Sequence, residues 1–202
     1  MKQILIGTGN PAKFARYKSV LERFSDIQVI SLKDLDKEAL PIIEDGETAK
    51  ENALKKAKIY ADYTKIPTLS VDEALYIDGL PDNEQPRTKV RRYESDVALT
   101  DDEMLNKFQS KISKLKNKGI TWIYAISLAH PDGEILYEEV HLKEEMTDTP
   151  SLPIIEGYPL SSLLFDPKKK KTQSQYNQDD WNEYLTPLYN KIQLIIDKFL
   201  KS

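Results

Sequence analysis

Cysteine is absent from this chain of 202 residues. A disulfide framework, a thiolate nucleophile and a zinc–thiolate site are therefore all excluded. Histidine is nearly absent as well. His130 and His141 are the two present, which excludes a histidine-rich metal site. No apolar run approaches the roughly 20 residues of a membrane span. The N-terminus has the pattern of a buried strand rather than of a signal peptide, so a cytoplasmic location is expected. Basic excess is lacking too: the formal net charge is −4. That argues against a general nucleic-acid binder, which is usually basic, and leaves a local cationic pocket open. What remains, 40% hydrophobic and 31% charged residues, describes a soluble globular protein. The length suits one substantial domain or two tightly joined lobes.

The first third alternates strand and helix signals. Ile4–Gly7 predicts a strand, Pro11–Phe24 a helix and Gln28–Ser31 a second strand. The capping box Thr48…Glu51 announces a helix near Thr48–Thr64, and Pro67–Val71 reads as the next buried strand. This rhythm predicts an α/β fold with at least a partly parallel sheet. Residues 78–95, poor in apolar side chains, read as a long loop or lid carrying Arg87, Lys89, Arg91 and Arg92. Thr100…Glu103 opens another helix. Thr121–Ala129 and Glu134–Leu142 flank the turn His130-Pro131-Asp132-Gly133 as a hairpin. Residues 143–178 read as irregular and include the run Lys168–Lys171, whose plain reading is a solvated loop. A final helix is expected with Thr186 as cap and Pro187 in its first turn.

Chemistry is concentrated in three places. Thr8-Gly9-Asn10-Pro11-Ala12-Lys13 follows the run Ile4-Leu5-Ile6 directly. It predicts a strand that breaks on a glycine turn and restarts as a helix, with Asn10 as cap. Such a turn aims backbone N–H groups at a guest, commonly phosphate. Lys13 sits in the first helical turn, where a cation gains nothing from the helix dipole. A ligand anion explains its placement, and a surface lysine on an ordinary turn is the competing reading. On the second helix Thr48, Asn52 and Lys56 share one stripe beside the small stripe Ala49, Ala53 and Ala57. Either this is a solvated flank or Asn52 and Lys56 make contacts beyond solvent. Asp72 is expected at the C-terminal end of its strand, where α/β folds bind ligands. Its neighbour Glu73 should point to the opposite face. Glu44 and Asp72 suit magnesium, which takes one or two carboxylates plus phosphate oxygens and water. Lys13 and Lys56 suit phosphate charge.

These residues resemble a known family, the inosine triphosphate (house-cleaning) pyrophosphatases. Thr8 through Lys13 resembles its opening T-G-N-x-x-K. Glu44 through Ala57 resembles E-T-G-x-T-F-x-x-N-A-x-x-K-A, with Ala49 in place of the aromatic. Ser70 through Leu80 aligns with A-D-D-S-G-L-x-V-D-A-L, and Pro86 through Tyr93 echoes P-G-x-x-S-A-R-Y. The resemblance implies hydrolysis of non-standard purine triphosphates (ITP, XTP, dITP) to monophosphate and pyrophosphate, with Mg2+. It implies one domain over residues 1–202, an elongated mixed β-sheet with helices on both sides and two lobes around a central cleft. It also implies a homodimer and a small-molecule nucleotide partner rather than nucleic acid or membrane. Carried over by position, Thr8, Gly9, Asn10, Lys13, Asn52, Lys56, Arg92 and Tyr158 bind substrate. Asp72, Lys13 and Lys56 are catalytic, and Glu44 and Asp72 hold the metal. The departures are Val71 for the first acid of D-D, Glu73 for serine, Ala74 for glycine and Ser161 for an acid that reads the base. The S-H-R motif has no counterpart. A nucleotide-binding relative without catalysis, and a pyrophosphatase of different base preference, are the alternatives.

Overall fold

The computed structural model describes residues 1–35 and 40–201. Seven strands form one mixed sheet: β1 (Lys2–Ile6), β2 (Ile27–Ile30), β3 (Thr68–Ile77), β4 (Gly119–Ala129), β5 (Ile135–Met146), β6 (Leu164–Asp166) and β7 (Lys171–Thr172). Their order is β2-β1-β3-β4-β5-β6-β7. β1 pairs parallel with both β2 and β3, whereas β6 pairs antiparallel with β5 and with β7. Among the described residues four α-helices accompany them: α1 (Pro11–Leu21), α2 (Ala49–Thr64), α3 (Asp101–Ile112) and α4 (Gln178–Lys201). No helix of the described residues is long and apolar enough to cross a membrane.

The caps form as their chemistry dictates. The Asn10 side chain accepts from the Ala12 and Lys13 amides at the start of α1, and Thr48 and Thr100 close full capping boxes with Glu51 and Glu103. In place of a stop at Val71, β3 runs on to Ile77. Asp72 therefore lies within the strand rather than at its end, because lysines on neighbouring helices satisfy its charge and that of Glu73. The last helix also differs from expectation. α4 starts at Gln178, eight residues before Thr186, and Pro187 lies inside it. A reciprocal cap sets that start: Asn177 Oδ1 accepts from the Asp180 amide at 2.9 Å, and Asp180 Oδ2 accepts from the Asn177 amide at 3.0 Å. Residues 143–178 are more ordered than their composition suggests, since β5 extends to Met146 and β6 and β7 follow. Within the lysine run, Lys169 Nζ sits 3.1 Å from Asp180 and 2.6 Å from Glu183, and Lys171 also pairs with Asp180.

The chain divides into two compact units. The first comprises residues 1–73, 124–140 and 186–202. Its core holds Ile4, Leu5, Ile6, Tyr17, Leu21 and Leu69, with the helix-side alanines Ala57 and Ala61 packed on Ala129. The second comprises residues 74–123 and 141–185. Leu75, Ile77, Phe108, Ile112, Ile120 and Leu163 centre its core. There the expected loop 78–95 is pinned in place. The Gln85 side chain bonds both the amide and the carbonyl of Ile77, and Arg87 pairs with Asp82 at 2.6 Å.

Candidate active site

The geometry around Lys13, Glu44, Lys56, Asp72 and Glu73 lies within the first unit. β1 makes its last pair with β3 at Ile6↔Leu69, and β3 carries on to Ile77. The turn after β1 therefore runs beside the stretch of β3 that begins at Ser70. The Gly7 amide donates to the Leu69 carbonyl at 2.8 Å, which fastens the start of that turn.

Within the turn most amides are already bonded. Thr8 donates to the Ile6 carbonyl at 2.9 Å and Asn10 to Thr8 Oγ1 at 3.2 Å. Asn10 Oδ1 accepts from Ala12 and Lys13 at 2.9 and 3.2 Å. The amides expected to be free for a guest thus belong to the Asn10 cap. What the turn offers instead is the exposed Gly9, with open space around it, and the Lys13 ammonium.

Lys56 is the hub of the site. Its Nζ donates to Asp72 Oδ1 at 2.7 Å and to Glu44 Oε1 at 3.0 Å. Lys56 and Asp72 are almost wholly buried, with side chains 10% and 7% exposed, while Glu44 is half exposed at 51%. Burial holds the Asp72 carboxyl above its ordinary range against the pull of Lys56. Burial also works against the Lys56 ammonium, but Asp72 and Glu44 more than offset it and raise its pKa. Lys56 therefore favours its charged form, while Asp72 is pulled one way by burial and the other by the ammonium.

The Glu44 segment is held to α2 by three side chains in succession. Asn52 Oδ1 accepts from the Gly46 amide at 2.9 Å, Lys55 pairs with Asp45 at 2.5 Å, and Lys56 takes Glu44. Asn52 and Lys56 turn inward, so their stripe is not a solvated flank. Gly46 is required by close approach: a Cβ there would lie 2.6 Å from Asn52 Oδ1.

Across β3, Glu73 faces α1. Its Oε1 accepts from Tyr17 Oη at 3.3 Å, with Lys13 Nζ at 3.3 Å and Arg16 Nη1 at 3.9 Å. Burial opposes this carboxylate, yet Lys13 and Arg16 hold its pKa below the ordinary value. Burial and Glu73 push the Tyr17 phenol well above its ordinary range. Sequence reasoning missed Arg16, Tyr17 and Glu73 as a group. The signal was present: Lys13, Arg16 and Tyr17 stand at i, i+3 and i+4 on one helix face.

Arg92 and Tyr158 belong to the second unit. Arg92 is exposed and Tyr158 half-buried. Arg91, rather than Arg92, ties down the turn before Tyr158: it pairs with Asp101 at 2.5 Å and donates to the Gly157 carbonyl at 2.9 Å. Asp101 in turn accepts from the Gly157 amide at 2.6 Å.

Among the described residues no three acidic or histidine side chains gather as a metal cage. Two carboxylates converging on one cationic point are nevertheless the donor set that suits magnesium, which keeps several waters and shares substrate phosphates.

Comparison with known proteins identifies the family. The sequence profile of the Ham1 family matches residues 4–184. A dITP/XTP pyrophosphatase of Lactobacillus acidophilus is 30% identical over 190 residues, covering 90% of each chain. The dITP/XTP pyrophosphatase of Bacillus subtilis is 26% identical over 186 residues, covering 91% of this chain and 90% of its own. Among solved structures, a HAM1 protein from Coxiella burnetii superposes with a TM-score of 0.80 at 22% identity, covering 96% of this chain and 99% of that one. The Staphylococcus aureus Ham1 protein does so with 0.76 at 22%, covering 95% and 98%. The four N-terminal blocks, the mixed sheet and these likenesses agree: the chain belongs to the Ham1 family.

Proposed function

We propose that this protein is a magnesium-dependent nucleoside triphosphate pyrophosphatase acting on non-standard purine triphosphates (ITP, XTP and dITP). The observation that carries this reading is the Lys56 ammonium bridging Glu44 and Asp72, in the same unit as the glycine turn that bears Lys13. The relatives named dITP/XTP pyrophosphatase support the substrate class.

In this reading Thr8, Gly9, Asn10 and Lys13 receive the phosphates. Asp72, hydrogen-bonded to Lys56, is an acceptor that orients the attacking water for in-line displacement at the α–β phosphoanhydride. Lys56 neutralises charge that develops on the departing pyrophosphate. Asn52 keeps Glu44 in reach by holding the Gly46 amide. Magnesium held by Glu44 and Asp72, when bound, supplies the remaining neutralisation of phosphate charge. Arg92→Ala and Tyr158→Ala, followed through KM, test whether the second unit contributes to substrate binding. A homodimer belongs to the same reading and is tested by sedimentation.

The deciding experiment measures pyrophosphate release from ITP, XTP, dITP, GTP, ATP and dUTP with and without magnesium. Magnesium-dependent release from ITP or XTP well above GTP and ATP is expected. Release from another base would keep the chemistry and change the substrate. A second reading, a nucleotide-binding relative without catalysis, draws on the buried Val71 where the family pattern has an acid. Nucleotide binding without turnover would favour it.

A further inference from the structure

We propose that Glu73 is a positioning residue that competes with phosphate for Lys13, and so weakens the site's hold on pyrophosphate. The inference rests on the reading of the Thr8–Lys13 turn as the phosphate end of the site.

The geometry is that of a cationic pair already partnered by an internal anion. Lys13 stands in the first turn of α1, and that turn carries no acidic residue. A cation there is disfavoured by the helix dipole and needs an anion close by. Glu73 supplies it from β3. A single carboxylate oxygen, Oε1, serves Lys13, Arg16 and Tyr17 together. The contact is loose. Lys13 Nζ lies 3.3 Å from that oxygen, longer than the 2.7–2.9 Å or so of a close charge-assisted bond. Lys56, by comparison, approaches Asp72 at 2.7 Å.

The two lysines are therefore held differently. Lys56 is almost wholly buried and bonded to two carboxylates, Asp72 at 2.7 Å and Glu44 at 3.0 Å. Lys13, with 23% of its side chain exposed, keeps a loose partner on one side and solvent on the other. A phosphate arriving at the turn, where Gly9 is exposed, carries more charge than one carboxylate. It can draw the Lys13 ammonium away while Arg16 remains beside Glu73. When pyrophosphate leaves, Glu73 takes Lys13 back. The cost of separating Lys13 from Glu73 is charged equally to substrate and product. Glu73 thus acts on KM and on pyrophosphate inhibition rather than on the chemical step.

Glu73→Gln keeps an oxygen for the Tyr17 hydroxyl and removes the charge. Inorganic pyrophosphate is the probe, titrated calorimetrically into the full chain with magnesium present. Kd for pyrophosphate is expected to fall roughly three- to tenfold. KM for the nucleoside triphosphate should fall with it, while kcat does not rise. In the Lys13→Met background the same Glu73→Gln change should leave pyrophosphate affinity where Lys13→Met alone puts it, since the competition is gone. Unchanged or weaker pyrophosphate binding in Glu73→Gln overturns the inference, as does an equal effect of Glu73→Gln with and without Lys13. Should Glu73→Gln melt far below the parent, Lys13→Met decides: stronger dependence on salt of pyrophosphate binding in the parent than in Lys13→Met is required. A parent protein that turns over triphosphate yet shows no change with Glu73→Gln sinks this inference alone. A parent that neither turns over triphosphate nor binds pyrophosphate sinks the reading of the turn as well.

Discussion

Lys56 donates to Asp72 at 2.7 Å although both side chains are almost wholly buried, and its second partner, Glu44, is half in solvent. The three groups are not equivalent, and single substitutions should expose the difference. In Asp72→Asn the ammonium keeps Glu44 and an amide oxygen in place of the carboxylate. The Asp72 carboxyl is already held above its ordinary range by burial, so a neutral group suits its position. Stability should change by about 1 kcal/mol or less. On the proposed reading, in which Asp72 accepts from water and holds metal, pyrophosphate release should nevertheless fall at least about a hundredfold. A collapsed melting transition in this variant would make Asp72 a structural residue.

Lys56→Met should behave oppositely in stability. It leaves a buried carboxylate without its cation, a situation that costs about 3 kcal/mol or more. Chemical denaturation of the two variants side by side checks the asymmetry. Equal losses would mean that Glu44 does not support Lys56 in solution.

Glu144 gives a pH signature within the second unit. Burial pushes its carboxyl up to about 7, in spite of hydrogen bonds from Tyr184 and Gln173. A pKa raised in the folded state means that the folded protein holds a proton which the unfolded chain gives up. The resulting stabilisation is complete below the ordinary value of 4.5 and is lost as pH rises through about 7. Melting temperature should therefore fall over that interval on account of this group. Glu144→Gln should flatten the fall, raising the melting temperature at pH 8 and leaving it nearly unchanged at pH 4.5. Parallel curves for parent and variant would contradict this.

Residues that act locally are legible in the amino-acid sequence. Asn10, Thr48 and Thr100 cap helices because their oxygens accept the first amides, a matter of three or four residues of chain. Alternation along a strand puts Asp72 and Glu73 on opposite faces, as they are. Non-local neutralisation is not legible. Two adjacent acids look like the end of a strand until Lys56 on one helix and Lys13 and Arg16 on another are seen beside them. The lysine run looks like solvent-exposed loop until Asp180 and Glu183 are found beside Lys169. The start of α4 is hidden by a stronger but misleading signal. Pro187 resembles a first-turn proline, and the actual cap uses Asn177 with an Asp rather than a Glu three residues on.

That same proline is open to test. Inside α4 it cannot donate to the carbonyl of Glu183, which a helical residue at 187 would do. Pro187 is exposed, so a smaller side chain opens no cavity in the core. Pro187→Ala should stabilise the protein by about 1–3 kcal/mol and raise the melting temperature. A lower melting temperature would show that the packing of Leu185 and Leu188 on either side depends on the proline geometry.

Gly46 separates position from charge. A Cβ at this residue would lie 2.6 Å from Asn52 Oδ1 and 2.8 Å from the Glu51 Cβ, so the segment must move. Asn52 is buried and held on α2, and the backbone of Glu44-Asp45-Gly46 is the part able to yield. Displacing it loosens the bond from the Gly46 amide and draws Glu44 from Lys56, while every charged group of the site is retained. Gly46→Ala should cost about 1–3 kcal/mol by overpacking. If Glu44 and Asp72 hold magnesium as proposed, it should raise the magnesium concentration needed for half-maximal pyrophosphate release, because Glu44 no longer meets Asp72 at the same point. Asn52→Ala removes only the Asn52 part of the crowding, leaves the Glu51 contact and loses the hydrogen bond, so it should not restore the magnesium response when combined with Gly46→Ala. Lys56 would then keep Asp72 alone. An unaltered magnesium response in Gly46→Ala would remove Glu44 from the metal site and leave Asp72 as its sole carboxylate.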